Sequence, residues 1–312
     1  STPRSGTDMV MTSEQRVEAS EIAGKGRSPW ADARRRFFRN KAALMGLVIL
    51  GFVVVFALLG NSLAQWSNEE LDYNVMGQIV ELGGPSIESG HYFGTDDLGR
   101  DLFARTVQGT QISLAVGLVG ALIACVVGTL YGAVAGYFGG RTDSIMMRLV
   151  DIFMAVPYMF VLILLLVMYG RSITILFAGV GLISWMEMAR IVRGQTLTIK
   201  GREFVEAARA TGVSAPVIIL RHIVPNLLGV IAVYATLLVP LMILTESFIS
   251  FLGLGIQEPL TSLGALISEG AGTIAYGTTW QLGFPLLFFC LTLFGLFFIG
   301  DGLRDALDPK DR

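Results

Sequence analysis

Three carboxylates occupy stretches where water is expected to be scarce: Asp151, Glu187 and Glu246 lie inside or at the ends of apolar runs. An acid at mid-membrane costs ~2.5–3.5 kcal/mol on insertion scales, so such residues are kept for pairing, binding or gating. Asp151 and Glu187 fall near run ends, three residues from Arg148 and Arg190, and a pair is expected for each. Glu246 stands deep in its run, where it is a candidate for translocation or gating, or for holding the following turn in shape. Asp101 and Arg105, four apart at the head of another run, are expected to pair on one helix face in structural service. Catalytic constellations are missing. A phosphate-binding loop needs G-x-x-x-x-G-K-[ST], and the one Gly-Lys pair, Gly24-Lys25, is followed by Gly26 in a polar tail. There is no G-x-S-x-G, H-E-x-x-H or C-x-x-C, and Cys125 and Cys290 read as small buried hydrophobes. No metal or other cofactor is expected in this chain, and no enzymatic activity of its own.

The elements that position these groups follow from composition. The chain has 312 residues, 53% hydrophobic and 15% charged, against about 25% charged in a soluble domain. The deficit is concentrated in blocks long enough to cross a bilayer, which takes ~20 apolar residues. Six spans are expected: Ala42 to Leu63, Ile112 to Tyr137, Leu149 to Tyr169, Ile173 to about Met188, Leu227 to about Leu252, and Leu282 to Ile299. The blocks neither alternate nor match the ~10-residue strands of a barrel, so the class is an all-α polytopic membrane protein. The first block is too long and too far from the N-terminus for a signal core and reads as an uncleaved span. The division that follows is 1–41 tail, 42–63 first span, 64–111 extracytoplasmic loop, 112–300 five-helix core and 301–312 tail.

Charge sets the orientation. With both termini cytoplasmic, every basic residue except Arg100, Arg105 and Arg171 falls on the inner side, as the positive-inside rule requires. Trp66 and Trp280 then lie at the outer interface, and His91 and His222 lie on opposite faces, too far apart for one metal site. The basic residues form no separate patch, so no nucleic-acid partner is expected. Residues 1–27 are polar, and Ser28 and Pro29 open a helix to Asn40. That helix sets Trp30, Ala33, Phe37 and Phe38 against Arg34, Arg35, Arg36 and Arg39, the pattern of a helix lying on anionic lipid. Gly128, Gly132 and Gly136 recur at four-residue steps on the second span, where small residues admit a close helix partner.

The polar interruption at 194–225 carries the most information. Glu203 to Ala210 reads as a short helix of good formers stopped near Gly212, and Ser214 with Pro216 opens a second. A helix pair of this size cannot span lipid and suits a groove on a soluble partner.

Within it, Glu206-Ala207-Ala208, then Gly212, then Pro225 resembles the EAA motif of ABC importer permeases. His222 to Asn226 resembles the His-Ile-x-Pro-Asn variant of the peptide and nickel branch, with Val224 where Leu is usual. The FGTD-x-x-GRD segment from Phe93, the stretch from Glu246 to Gly255 and the tail from Gly300 to Pro309 are similar to the C-type permease subunit of oligopeptide and dipeptide importers. Phe297 departs from a polar Asn expected there. The resemblance implies a type I importer permease fold and alternating access. It assigns ATPase coupling to Glu206, Ala207, Ala208, Arg209, Gly212 and Pro225. The partners it implies are a B-type permease, two ATPase subunits that bind ATP and Mg, and an extracytoplasmic peptide-binding protein, all at the inner membrane. A nickel, antimicrobial-peptide or other small-solute permease of the same branch stays open, as does an ion-coupled secondary carrier.

Overall fold

The computed structural model describes residues 29–307, without the side chains at 29, 30, 182 and 183. The expectations for Ser28, for Trp30 and for the two terminal tails beyond these bounds lie outside the described residues. Helices make up the fold, and the described residues include no strand, only the isolated bridges Leu71–Arg100 and Thr95–Asp101. We number the helices α1 Pro29–Arg39, α2 Lys41–Leu63, α3 Ile79–Leu82, α4 Leu102–Phe138, α5 Gly140–Ala155, α6 Tyr158–Tyr169 and α7 Ile173–Ile199. The series continues with α8 Glu203–Ala210, α9 Ala215–Phe251, α10 Leu263–Thr273 and α11 Thr279–Leu307. Five of them (α2, α4, α7, α9 and α11) are long and apolar enough to cross a membrane, and α5 with α6 makes a sixth if the bent pair is one span.

Asn40 ends α1 and starts α2. Its side chain accepts from the amides of Ala42 and Ala43 and donates to Asp305 on α11 at 3.3 Å. On α1, Ala33 is buried while Phe38, Arg34 and Arg35 stay exposed. The helix packs on α11, which in turn packs along α2.

The third expected span is not one helix. It is bent by 75° between Ala155 and Tyr158. Pro157 lacks an amide hydrogen and crowds the preceding turn, which drives Val156 to the extended region at φ −85°, ψ 126°. The second span begins ten residues before Ile112, because Asp101 caps the helix by accepting the Ala104 amide at 2.7 Å. At 37 residues α4 is about 55 Å long. The fourth span outlasts its apolar run by three turns. Its inner stripe of Met188, Val192, Thr196 and Ile199 stays buried while Arg190 and Arg193 find carboxylates on α5. Cys125 and Cys290 are free thiols, half-buried where the sequence reads them as buried.

Candidate functional site: the coupling elbow and the helices it grips

The elbow is where the sequence places it. Helix α8 spans Glu203–Ala210 with Val205 and Ala208 buried, while Glu206, Ala207 and Arg209 face outward. Gly212 closes it at φ +79°: its amide donates to Arg209 O (3.1 Å), and the Val213 amide donates to Ala208 O (3.1 Å). This is a Schellman motif, and its left-handed residue is open to glycine at no steric cost. The second arm is not a separate helix. It runs from Ala215 straight into the fifth span, through a widened turn at Ile219–Ile223 just before Pro225. Proline cannot supply an amide there, and the wider turn absorbs the misfit. The Asn226 side chain donates to His222 O at 2.6 Å. The Ser214 side chain makes no cap bond, contrary to expectation. The elbow is therefore a bracket at the base of α9. Sequence reasoning missed its other anchor: the Arg209 guanidinium lies 5.4 Å from the ring centroid of Tyr137, near the end of α4.

Helix α4 is itself locked to α7. A β-carbon on Gly128 would lie 2.5 Å from Trp185 O. One on Gly132 would strike Ala189 O, and one on Gly136 would lie 2.7 Å from Thr196 Cβ. Lys200 on the far side donates to Gly136 O at 2.9 Å. Arg193 binds Asp143 through Nε (2.9 Å) and Nη2 (2.5 Å), tying α7 to α5.

The charge partners differ from those expected by spacing. Arg190 Nη2 pairs with Asp151 Oδ1 at 2.5 Å, across two helices. Neither the Arg148–Asp151 nor the Arg190–Glu187 pair is formed among the described residues. Three-residue spacing makes a pair possible, but α5 and α7 pack closely enough for the cross-helix pair to win. Asp101 and Arg105 do not pair either. Arg105, 3% exposed, donates to Asp96 (2.5 Å) and Glu269 (2.7 Å), while Asp101 is taken by the α4 cap and by His91 Nδ1 at 2.9 Å. His91 Nε2 lies 3.4 Å from Asp72, and Trp66 stacks on the ring. Burial pushes the Asp101 carboxyl above the ordinary carboxylate range, against the hydrogen bonds from His91 and the Ala104 amide. The indole of Trp66 donates to Ser89 O and that of Trp280 to Thr95 O, so both rings are tied into the 64–111 segment.

Glu246 is fully buried. Ser250 Oγ donates to it at 2.6 Å, Ser247 Oγ at 3.2 Å and Ser113 Oγ at 3.3 Å; Ser113 in turn accepts the Leu263 amide at 3.3 Å. The carboxylate thus joins α9, α4 and the start of α10. Among the described residues no group of His, Cys, Asp and Glu side chains is arranged to hold a metal ion.

Residues 128–312 match the family described as binding-protein-dependent transport system inner membrane component, and residues 28–79 match the N-terminal TM domain of oligopeptide transport permease C. The chain is 52% identical to an oligopeptide transport system permease protein OppC of Haemophilus influenzae, over 98% of this chain and 96% of that one. It is 54% identical to the OppC of Escherichia coli K12, over 94% and 95%. It is 44% identical to the dipeptide transport system permease protein DppC of Bacillus subtilis, over 97% and 92%. A chain of the inward-facing MetNI methionine ABC transporter superposes with a TM-score of 0.53 at 19% identity, covering 65% of this chain and 95% of that one. That likeness shows a shared permease fold. This chain belongs to the binding-protein-dependent transport system inner membrane component family, as a multi-pass ABC permease subunit of the inner membrane.

Proposed function

We propose that this subunit carries oligopeptides or dipeptides inward as the C-type half of a heterodimer with a B-type permease. Two ATPase subunits and an extracytoplasmic peptide-binding protein complete the machine. The names of the relatives at 42–54% identity support the cargo. The charge distribution supports cytoplasmic termini. ATP and Mg belong to the partners, since this chain holds no phosphate-binding loop.

The observation that carries the mechanism is the bracket. Glu206 and Ala207 face outward on a helix whose inner side, Val205 and Ala208, packs at the base of α9, and whose exposed Arg209 reaches Tyr137 at the end of α4. A push on that face moves the fifth and second spans together, and the glycine seam makes α7 and, through Asp143, α5 move with them. ATPase closure would then rock the helices outward and hydrolysis would reset them, as in alternating access. Glu246 serves this motion as the tie that keeps α10 on α4 and α9 at the outer end, and it shapes the mouth of the path.

The test is replacement of Glu203–Ala210 by a Gly-Ser linker in the reconstituted importer. Peptide uptake is expected to stop, and ATP turnover to lose its response to loaded binding protein, with the permease still inserted. Uptake that stays linked to nucleotide turnover would sink the proposal.

A further inference from the structure

The bend at Pro157 opens a cavity of about 670 Å³ between the α5–α6 corner, the middle of α7 and the outer part of α9. Its walls are mostly apolar, with Phe153, Leu241 and Phe248 among them, and Tyr158 adds a phenol. Of its polar side chains, Ser184 and Thr245 are uncharged, and each hydroxyl donates to a carbonyl of its own helix, Val180 O at 3.0 Å and Leu241 O at 2.9 Å. Among the described residues of the lining, Glu187 is the one carboxylate. It is exposed and takes part in none of the ion pairs or side-chain hydrogen bonds formed among the described residues. The cation nearest to it in sequence, Arg190, has been drawn across to Asp151. Glu187 lies at the end of the apolar run of α7, one residue before Met188, and lines the cavity. A free carboxylate at such a position is costly against lipid and belongs on a water-filled path.

The chemistry of the cavity is that of a site for a cation carried by an otherwise variable body. A volume of this size holds a few residues of a chain rather than a long one. Its walls accept apolar side chains without selecting among them, because burial of apolar surface is non-directional. The one feature a mixture of peptides shares, and which a lone carboxylate recognises, is the α-ammonium.

We propose that Glu187 is a specificity-determining residue of the translocation path, pairing with the α-ammonium of a peptide as it passes the Pro157 corner. The assignment rests on the peptide-import reading above. One water-exposed ion pair is weak, so it orders the cargo and lets it leave. It also gives a reason for the swap of ion partners: the Arg190–Asp151 pair keeps a competing guanidinium away from the carboxylate.

The test uses the complete importer in proteoliposomes, with binding protein loaded to the same measured level with a short peptide or its N-acetylated twin. Wild type is expected to carry the free-amine peptide roughly three- to tenfold faster than the acetylated one, the size of one ion pair with a charged hydrogen bond. Glu187→Gln should bring that ratio to about one, and Glu187→Asp should restore most of it. A wild type with no preference overturns the proposal without any variant. A Glu187→Gln importer that slows both peptides equally, with the ratio intact, also overturns it and points to a tie with a neighbouring subunit. If wild type carries neither peptide while ATP turnover responds to loaded binding protein, the peptide-import reading itself fails, before Glu187 is in question.

Discussion

Gly132 on α4 and Ala189 on α7 meet with no side chain between them: a β-carbon on the glycine would run into the alanine's carbonyl oxygen. The obstacle is backbone, which cannot rotate away as a long side chain would. Gly132→Val is therefore expected to force the helices apart and to cost at least the ~1–3 kcal/mol of an overpacked core. Gly194→Ala on α7 is the control, since a β-carbon there meets nothing within 4 Å; it should be neutral or slightly stabilising. Thermal unfolding of the two variants in detergent separates them. Equal melting temperatures would show that the seam is not close-packed.

Arg193 and Asp143 bind through two parallel contacts, yet Arg193 keeps 37% of its side-chain surface in contact with solvent or lipid. Screening discounts the pair, so a double-mutant cycle with Arg193→Ala and Asp143→Ala should give a coupling of about 0.5–1 kcal/mol. A coupling within error of zero would mean that this pair adds nothing to the attachment of α5 to α7 beyond the Arg190–Asp151 contact and packing.

Arg105 is nearly buried and joins Asp96 to Glu269. Arg105→Met should cost about 3 kcal/mol, the low end for a broken buried pair, because Arg100 still neutralises Asp96 at 2.7 Å. Lysine restores charge without the guanidinium fork and is expected to recover only part of the loss. Limited proteolysis within 64–111 reads the outcome; wild-type resistance in Arg105→Met would refute the bridge.

The elbow separates folding from coupling one residue at a time. Gly212→Ala places a β-carbon at φ +79° and should cost about 1 kcal/mol of local stability, with Asn milder than Ala. Ala208→Asp buries a charge and should melt α8, whereas Ala207→Asp lies on the outward face and should leave the fold alone. Binding-protein-stimulated ATP turnover is then expected to fall in both alanine variants, with circular dichroism and protease resistance unchanged only in Ala207→Asp. Full stimulation in Ala207→Asp would place the ATPase contact elsewhere.

Asp101 gives a pH dependence of known sign. Its folded carboxyl titrates above the ordinary range because it is buried. Its contribution to stability is therefore complete below the unfolded value, about pH 4, and is lost as pH rises through the raised folded value. The melting temperature of the permease should decline over that acidic window on going to neutral pH. Asp101→Asn keeps a capping oxygen and should flatten the trend. A trend that persists in the variant would assign it to another group.

The sequence by itself determined the class, the number of apolar spans and the elbow. Apolar run length is summed along the chain. The ends of α8 come from contacts within a few residues: good helix formers from Glu203, then a glycine at 212 that alone tolerates the closing turn. The glycine seam was legible for the same reason, since four-residue spacing puts Gly128, Gly132 and Gly136 on one face whatever packs there. Tertiary structure decided which helix fills that seam, how far α4 and α7 extend beyond their apolar runs, and which acid each arginine meets. Arg190 and Arg105 have near neighbours of opposite charge in sequence, yet both reach carboxylates on other segments. Ion pairs are short-ranged and indifferent to chain connectivity, so their choice depends on helix packing. The angle at Pro157 is of this kind too: proline announces a break, but the 75° turn, and the cavity it leaves beside Glu187, depend on the helices packed around it.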